Sequence, residues 1–304
     1  GFSGVDGWAL CILLLCVAVL IYRGRKLSKK ERGNATVQLV ITAAAILAFA
    51  PWLSIFGSVL VKGIVGLKVN FVTSDMRTTV PDDDLSMGGA LHAILGSLLM
   101  VLMATIITLP LGILSGVYLT EIKGRFTFLV RFVIQSMSGV PSIVAGLFVF
   151  AILVSGRGFS ALSGSVALSI LMLPTVARTA EEVLKLVPED IRTSAYALGA
   201  TQTATTFRIV LPAARAGLVT ASMLGMARVA GETAPLIMTS FYSANFSTDT
   251  SGHPLASLPM YIYQNFSNGT DLALSRAWGG AAVLLSMIFI IFTIARLSSG
   301  RAKG

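Results

Sequence analysis

The 304-residue sequence has few charged residues, and this scarcity is its most informative feature. Asp, Glu, Lys and Arg together make up 12% of the chain, about half of the roughly 25% typical of soluble globular proteins. Apolar residues reach 55%. A soluble fold of this size could not bury so much apolar surface behind so few charges. The composition therefore excludes soluble and disordered proteins and predicts an integral membrane protein.

Cysteine and histidine are also scarce, with two residues of each. Cys11 and Cys16 lie five residues apart in one apolar run, which places them on different faces of a helix, so neither a disulfide nor a metal site is expected. His92 and His253 are isolated from any second ligand residue. The chain contains no G-x-x-x-x-G-K-[ST] motif, so it cannot cradle nucleotide phosphates by itself. These absences predict a non-catalytic subunit without a metal or a cofactor.

Seven apolar runs are long enough, or nearly so, to cross the roughly 30 Å hydrocarbon core of a bilayer as helices. They are Trp8–Tyr22, Gln38–Val61, Leu91–Thr120, Phe132–Val154, Leu162–Ala177, Ala216–Phe241 and Ala277–Ala295. Helices are expected because open sheet edges cannot survive in lipid and no ten-residue alternating pattern suggests a barrel. We therefore predict an all-α polytopic membrane protein.

Basic residues are distributed unevenly between the loops. Alternation of the spans places 17 of the 23 Lys and Arg on one side of the membrane and five on the other, with Arg228 inside a span. Lys and Arg concentrate in cytoplasmic loops, so this asymmetry predicts a cytoplasmic C-terminus and an N-terminus outside. It also accounts for the net charge of +9 without nucleic-acid binding. The basic cluster that follows Trp8–Tyr22 favours an anchor helix over a cleaved signal peptide.

The longest predicted cytoplasmic loop, Arg178–Arg215, has the pattern of two short helices. Pro188 suits a helix start, and the two acidic residues after it place negative charge in the first turn. Gly199 then predicts a C-terminal cap. Thr201 can cap a second helix that runs to about Arg208. The loop should therefore present two short helices joined at Gly199, close to the inner membrane surface.

Two charged residues, Arg228 and Glu232, lie in the middle of the sixth apolar run. An Arg at the bilayer centre costs roughly 2.5–3.5 kcal/mol on insertion scales, and intramembrane ionisable residues usually line a pathway. The i,i+4 spacing places both side chains on one helix face, where they can pair. The planar guanidinium matches a tetrahedral oxyanion, which could displace Glu232 from Arg228. The alternative is a permanent ion pair that only fixes packing.

Four prolines fall inside predicted spans, where the lost backbone hydrogen bond produces a kink. They are Pro51, Pro110, Pro141 and Pro174. The segment Gly139–Ser142 is the most disruptive of these sites, and we expect it to lie beside the pathway. A packing role explains Gly and Pro in membrane helices equally well.

The predicted two-helix loop resembles the EAA loop of permease subunits in bacterial ABC importers. The resemblance rests on Gly199 followed, after nine residues, by the run Ile209–Pro212. In that family the loop forms coupling helices that sit in clefts of two cytoplasmic ATPase subunits. Thr193 stands where the family has Glu. The resemblance implies an ATPase-coupling role for Ser194, Ala195, Gly199, Ile209, Leu211 and Pro212.

Four further segments are similar to the PstA-type permease family of phosphate ABC importers. They are VPSIVAGLFVF (Val140–Phe150), LPTVARTAEEVLKLVPE (Leu173–Glu189), AYALGA (Ala195–Ala200) and RVAGETAPL (Arg228–Leu236). The resemblance runs from about Gln38 to Arg296. It implies a six-helix ABC importer permease core in residues 34–304, which contains the coupling loop. Residues 1–33 would then be an extra N-terminal transmembrane helix followed by a basic linker.

The resemblance also implies a function and partners. It implies a phosphate permease subunit in the bacterial cytoplasmic membrane, working with a PstC-like sister permease, two copies of a PstB-like P-loop ATPase and a PstS-like outer-face phosphate-binding protein. Arg228, Glu232 and Arg178 would line the pathway, although interfacial snorkelling explains Arg178 equally well. The alternatives are an importer of another oxyanion, such as sulfate, of an amino acid or of a sugar, an ATPase-independent secondary transporter, and a membrane component that signals phosphate supply.

Overall fold

The computed structural model describes residues 29–245, 247 and 249–300, together with residues 14, 17, 18, 21 and 22. Regular structure in these residues is helical throughout, which confirms the predicted all-α class. Most of Trp8–Tyr22 lies outside the described residues, so the extra N-terminal helix stays a prediction. The chain divides into two compact units, residues 1–65 and 66–304. The predicted boundary between residues 33 and 34 is not tested by this division.

Helix α1 (Lys29–Gly66) provides nearly all of the described residues of the first unit. It is longer than the predicted run Gln38–Val61 because the polar residues before that run are also compatible with a helix. Pro51 lies inside it without breaking it. The rings of Trp52 and Phe56, one turn apart, stack with centroids separated by 5.3 Å. Its apolar side chains are largely exposed.

The second unit begins with a 3₁₀-helix at Val69–Val72 and contains ten further helices. In chain order they are α2 (Leu91–Val117), α3 (Thr127–Ser138), α4 (Ser142–Val149), α5 (Ala161–Lys185), α6 (Glu189–Ala197), α7 (Gln202–Thr205), α8 (Arg215–Ala230), α9 (Ala234–Thr239), α10 (Leu258–Asn268) and α11 (Asp271–Gly300). Single π-helical turns prolong α2, α4 and α7 at Tyr118–Ile122, Phe150–Val154 and Thr206–Val210. The short helical segments Ser155–Arg157 and Leu211–Ala213 follow the latter two turns.

Four of the described helical stretches are long and apolar enough to cross a membrane unaided. They are Val40–Gly66, Leu91–Ile122, Ala161–Lys185 and Asp271–Leu297. Two bent helix pairs raise the number to six if each pair forms one span. The four long stretches and the pair Thr127–Ser138 with Ser142–Arg157 correspond to the second, third, fourth, fifth and seventh predicted runs. The other pair shares only residues 216–230 with the sixth run, because its first helix, Gln202–Ala213, belongs to the predicted coupling loop. The helix count agrees with a six-helix permease core.

Two of the predicted spans are broken helices rather than continuous ones. The fourth run, Phe132–Val154, bends by 105° between α3 and α4. Val140 precedes a proline, which disfavours the helical conformation, and the adjacent Gly139 weakens the helix further. This confirms Gly139–Ser142 as a disruptive segment. In the sixth run, α8 ends at Ala230 and three non-helical residues precede α9, so the prediction of one continuous span there is wrong.

Helix α5 lies at the centre of the second unit. In the most apolar stretch of α5, 67% of the residues are buried, whereas the share in α11 is 17%. Helix α2 packs closely along α5. A Cβ atom on Gly112 of α2 would lie only 2.7 Å from Cγ1 of Val176 in α5. Glycines allow such close approach of membrane helices. The core around this seam contains Met100, Leu168, Leu171, Met172, Val176, Val229 and Leu236.

A buried arginine holds the loop that precedes α2. Arg276 lies in α11, which begins at Asp271, six residues before the predicted run, and its side chain is only 1% exposed. Its Nη2 donates to the carbonyl oxygens of Asp83, Asp84 and Met87 at 3.0, 2.9 and 2.9 Å. The guanidinium of Arg276 therefore holds the backbone of this loop against α11.

We expect Arg276→Gln to destabilise the protein by about 2–4 kcal/mol, because hydrogen bonds to a charged donor are each worth about 1.5–3 kcal/mol and a glutamine can replace only part of them. The measurement is the thermal unfolding midpoint of the detergent-solubilised protein. Arg77→Gln is the matched control, since the Arg77 side chain donates a single exposed hydrogen bond, of 3.4 Å, to Asn245. Equal midpoints for the two variants would contradict this account.

Candidate functional site

The predicted coupling loop begins later than the sequence suggested. Helix α5 continues through Arg178 to Lys185, so the connecting segment begins at Leu186. Charged residues do not end a helix, and residues 178–185 contain neither glycine nor proline. Arg178 is therefore an exposed residue inside α5, about two turns before its end.

The two helices of the predicted coupling loop form close to where their local signals predict. Pro188 is the N-cap of α6, and Glu189 and Asp190 occupy its first turn. Gly199 follows the helix with a φ of +83°, a left-handed conformation that favours glycine. The Oγ1 atom of Thr201 accepts a hydrogen bond from the Ala204 amide at 3.2 Å and caps α7. The two short helices are therefore joined at Gly199, as predicted.

The second coupling helix extends further than predicted. Helical structure runs past Arg208, through the π-helical turn, to Ala213, and α8 then begins at Arg215. The stretch Gln202–Ala213 and α8 are bent by 71° at Ala214. Pro212 lies in the last part of this helical structure, one residue before it ends at Ala213.

The six predicted coupling residues divide into an exposed set and a packed set. Ser194, Gly199 and Pro212 are exposed, Ile209 and Leu211 are half-buried, and Ala195 is buried. An apolar cluster beneath them joins the loop to the ends of α2 and α5. It contains Val117, Ala180, Leu184, Val187, Val210, Ala214 and Leu218. The loop is thus a packed surface with exposed residues available to a partner.

Three polar residues of this region were missed in the sequence. Arg192 of α6 donates from Nε and Nη2 to the two carboxylate oxygens of Glu121 at 3.1 and 2.8 Å. Gln202 of α7 donates to the Glu121 carbonyl oxygen at 2.6 Å. The hydrogen bond to Glu121 raises the pKa of Arg192 above its ordinary value. The only sequence signal was a carboxylate at the end of a long apolar run.

The intramembrane charges do not form the predicted pair. Among the described residues, the ion pairs do not include Arg228 with Glu232. The i,i+4 argument fails because α8 ends at Ala230, so Glu232 lies in the non-helical break before α9. Arg228 is exposed, and its Nη1 donates to Oγ1 of Thr175 at 2.9 Å. The guanidinium is therefore oriented by α5.

Arg178 lies one helical turn from the residue that Arg228 contacts. Thr175 and Arg178 are three residues apart in α5, so they are neighbours on the helix surface. Arg178 also lines a cavity of about 290 Å³, together with Arg131, Lys185 and other residues. The structure thus brings the two predicted pathway arginines to one side of α5.

The two helix breaks lie on elements that pack against each other. Helix α4 follows the break at Gly139–Pro141, and α9 follows the break that contains Glu232. A Cβ atom on Gly146 of α4 would lie 2.7 Å from Cα of Pro235 in α9. The backbones of α4 and α9 are therefore in close contact.

Comparison with known proteins gives relatives along almost the whole chain. Residues 108–304 match the family described as "Binding-protein-dependent transport system inner membrane component". The chain is 35% identical to the "Phosphate transport system permease protein PstA" of Mycobacterium leprae, with 90% of each chain covered. It is 36% identical to the protein of that name from Yersinia pestis, with 94% of this chain and 97% of that protein covered.

The fold also resembles a solved importer structure. The structure titled "Inward facing conformations of the MetNI methionine ABC transporter" matches with a TM-score of 0.52 at 18% identity, over 70% of this chain and 92% of that chain. At this identity the likeness concerns the fold alone. The family match and the relatives, by contrast, show that this chain belongs to the family of binding-protein-dependent transport system inner membrane components, and within it to the PstA-type permeases.

Proposed function

We propose that this chain is one of the permease subunits of an ATP-driven importer of inorganic phosphate in the bacterial cytoplasmic membrane. The observation that supports phosphate is the identity of 35% and 36%, over at least nine-tenths of the chain, to proteins named as phosphate transport permeases. The packed two-helix loop supports the ATP-driven part, because a rigid segment can transmit a movement that a flexible loop would absorb.

The chain would work in an assembly. The proposed partners are a PstC-like sister permease, two copies of a PstB-like P-loop ATPase and a PstS-like phosphate-binding protein at the outer face. The ATPases would bind the coupling loop from the cytoplasm, where the exposed Ser194 and Gly199 are accessible. The excess of basic residues on that side supports this orientation, with the C-terminus in the cytoplasm.

The pathway would pass Arg228. The hydrogen bond to Thr175 uses one guanidinium nitrogen, and the other donors can bind phosphate oxygens. Glu232, in the adjacent break, would compete with the anion when a rearrangement of α8 and α9 brings its carboxylate to Arg228. Arg178 would provide a second positive charge one turn along α5. Cycles of ATP hydrolysis would then alternate binding and release.

The test is reconstitution of the chain with these partners in liposomes, followed by measurement of radiolabelled phosphate uptake with ATP trapped on the ATPase side. We expect uptake that requires both ATP and the binding protein and that excess sulfate does not inhibit. Preferential uptake of sulfate would show that the transported substrate is another oxyanion and not phosphate. Phosphate uptake by this chain alone, without ATP, would refute the ATP-driven mechanism.

A further inference from the structure

Both coupling helices converge on one residue at the end of α2. Arg192 of α6 binds the Glu121 carboxylate through two hydrogen bonds, and Gln202 of α7 binds its backbone carbonyl. Glu121 lies 71 residues before Arg192 and 81 before Gln202. The side chain of Glu121 therefore binds α6, and its backbone carbonyl binds α7. We call this arrangement of Glu121, Arg192 and Gln202 the Glu121 hub.

The ion pair of the hub is buried. The side chain of Glu121 is 3% exposed and that of Arg192 is 10% exposed. A bidentate contact between a guanidinium and a carboxylate fixes the orientation of the two groups as well as their distance. Removal of one partner from a buried pair leaves an uncompensated charge, so such a contact resists separation. The pair is thus suited to transmit force.

Arg192 also joins α6 to the end of α5. Its Nη2 donates to the Leu184 carbonyl at 2.9 Å, and its Nη1 donates to the Val187 carbonyl at 2.6 Å. Carbonyl groups at the end of a helix lack intrahelical partners, and a cation satisfies them well. Arg192 therefore connects three elements: the coupling helix, the end of α5 and the end of α2.

Each of the other ion pairs on this side of the described structure has an exposed member, including the pair of Arg192 with Glu189 at 3.3 Å, in which the Glu189 side chain is 77% exposed. Glu181 contacts Arg131 and Lys185, both at 2.6 Å, but the side chains of these two bases are 45% and 55% exposed. Exposed pairs of this kind contribute little and yield easily. The pairs of Glu181 join α5 to α3 or lie within α5, so among these ion pairs the one at Glu121 connects the coupling helices to α2. It adds a directional polar contact to the apolar cluster that also joins the loop to α2.

We propose that Glu121 is the positioning residue that transmits movement of the coupling loop to α2. This inference rests on the proposed function, in which ATPases displace that loop. The movement would spread from Glu121 along α2 and, through its glycine seam at Gly112, into α5. Since α5 contains Thr175, the partner of Arg228, the hub connects the ATPase side to the proposed anion site.

The test compares two hub variants with a matched control in the reconstituted importer. Glu121→Gln removes the carboxylate charge and keeps the backbone carbonyl, while Gln202→Met removes the second contact and leaves the ion pair. Glu181→Gln makes the same chemical change as the first variant in the exposed pairs. The readout is the number of phosphate ions transported per ATP hydrolysed, together with the rate of ATP hydrolysis.

We expect Glu121→Gln to lower the transport-to-hydrolysis ratio at least about fivefold while hydrolysis remains at half the wild-type rate or more. Gln202→Met should lower the ratio about twofold, and Glu181→Gln should change it by less than about 1.5-fold. An unchanged ratio in Glu121→Gln, including a proportional loss of transport and hydrolysis, refutes the proposal.

If Glu121→Gln fails to assemble, Gln202→Met decides the matter, and an unchanged ratio in that variant refutes the proposal. Gln202 is exposed, so its substitution leaves the packed core intact. The wild-type assembly separates the two hypotheses. Failure of the wild type to import phosphate with ATP overturns the proposed function, whereas a coupled wild type with equally coupled hub variants overturns only the hub.

Discussion

Replacing Arg228 by glutamine should lower phosphate uptake by about 10- to 100-fold, because a charge-assisted hydrogen bond is worth about 1.5–3 kcal/mol and each 1.36 kcal/mol is a factor of ten in rate. Glutamine can keep the hydrogen bond to Thr175 but loses the positive charge and the planar fork of donors. The measurement is the initial rate of phosphate uptake in the reconstituted importer. Arg228→Lys should retain part of the activity, since it keeps the charge.

The control for this variant is Arg157→Gln. Arg157 is exposed at the end of the short segment Ser155–Arg157, on the side predicted to be outside. Arg157→Gln removes the same charge as Arg228→Gln without touching the proposed pathway. Phosphate uptake by this variant should therefore stay close to that of the wild type. Full uptake in Arg228→Gln would remove Arg228 from the pathway, and equal losses in both variants would point to net charge instead.

Replacing Gly146 by leucine should reduce uptake more than tenfold, because the side chain would be forced against the backbone of α9. Its Cβ would lie 2.7 Å from Cα of Pro235 and 3.1 Å from its carbonyl oxygen, and backbone atoms cannot rotate away. Overpacking of this kind typically costs about 1–3 kcal/mol and shifts the neighbouring element. The shifted element follows the break that contains Glu232. Uptake and the thermal unfolding midpoint are measured together.

Gly156→Leu provides the matched control. A Cβ atom at Gly156 would meet nothing within 4 Å, and this residue lies in the short helical segment that continues α4. Uptake in this variant should therefore remain within about twofold of the wild type. If the two leucine variants behave alike, the contact between α4 and α9 has no special role in transport.

The features that the sequence predicted well depend on residues that are close together in the chain. The joint of the coupling loop is an example: Pro188, Gly199 and Thr201 each act within a few residues, through a fixed φ, a left-handed turn and a side-chain cap. Because these effects are local, the positions of α6 and the start of α7 could be predicted without knowledge of the fold.

The features that were predicted incorrectly or missed depend on distant residues. The partner of Arg228 is Thr175, 53 residues away, and not Glu232, which is four residues away. Helical spacing could suggest the nearby pair but not the end of α8 that separates it. The contact between Glu121 and Arg192 spans 71 residues, so neither residue alone indicated its role.

The prolines differ in their effect on the helices. Pro51, Pro110 and Pro174 remain inside α1, α2 and α5, whereas Pro141 stands at a bend of 105°. Each proline removes one backbone hydrogen bond, and this local cost is predictable from the sequence in all four cases. Packing does not separate them, because α1 continues through Pro51 although its side chains are largely exposed. The adjacent Gly139 is the local signal that distinguishes Pro141.

The sequence by itself determined that this protein lies in a membrane, that it is helical, and where its apolar runs fall. Lipid offers no hydrogen-bond partners to the backbone, so long apolar runs must become helices whatever surrounds them. Only the tertiary structure decided where the sixth run breaks, which charges meet and how the coupling loop is attached to α2. Those outcomes depend on distances between segments that are far apart in the chain, and the sequence does not contain such distances.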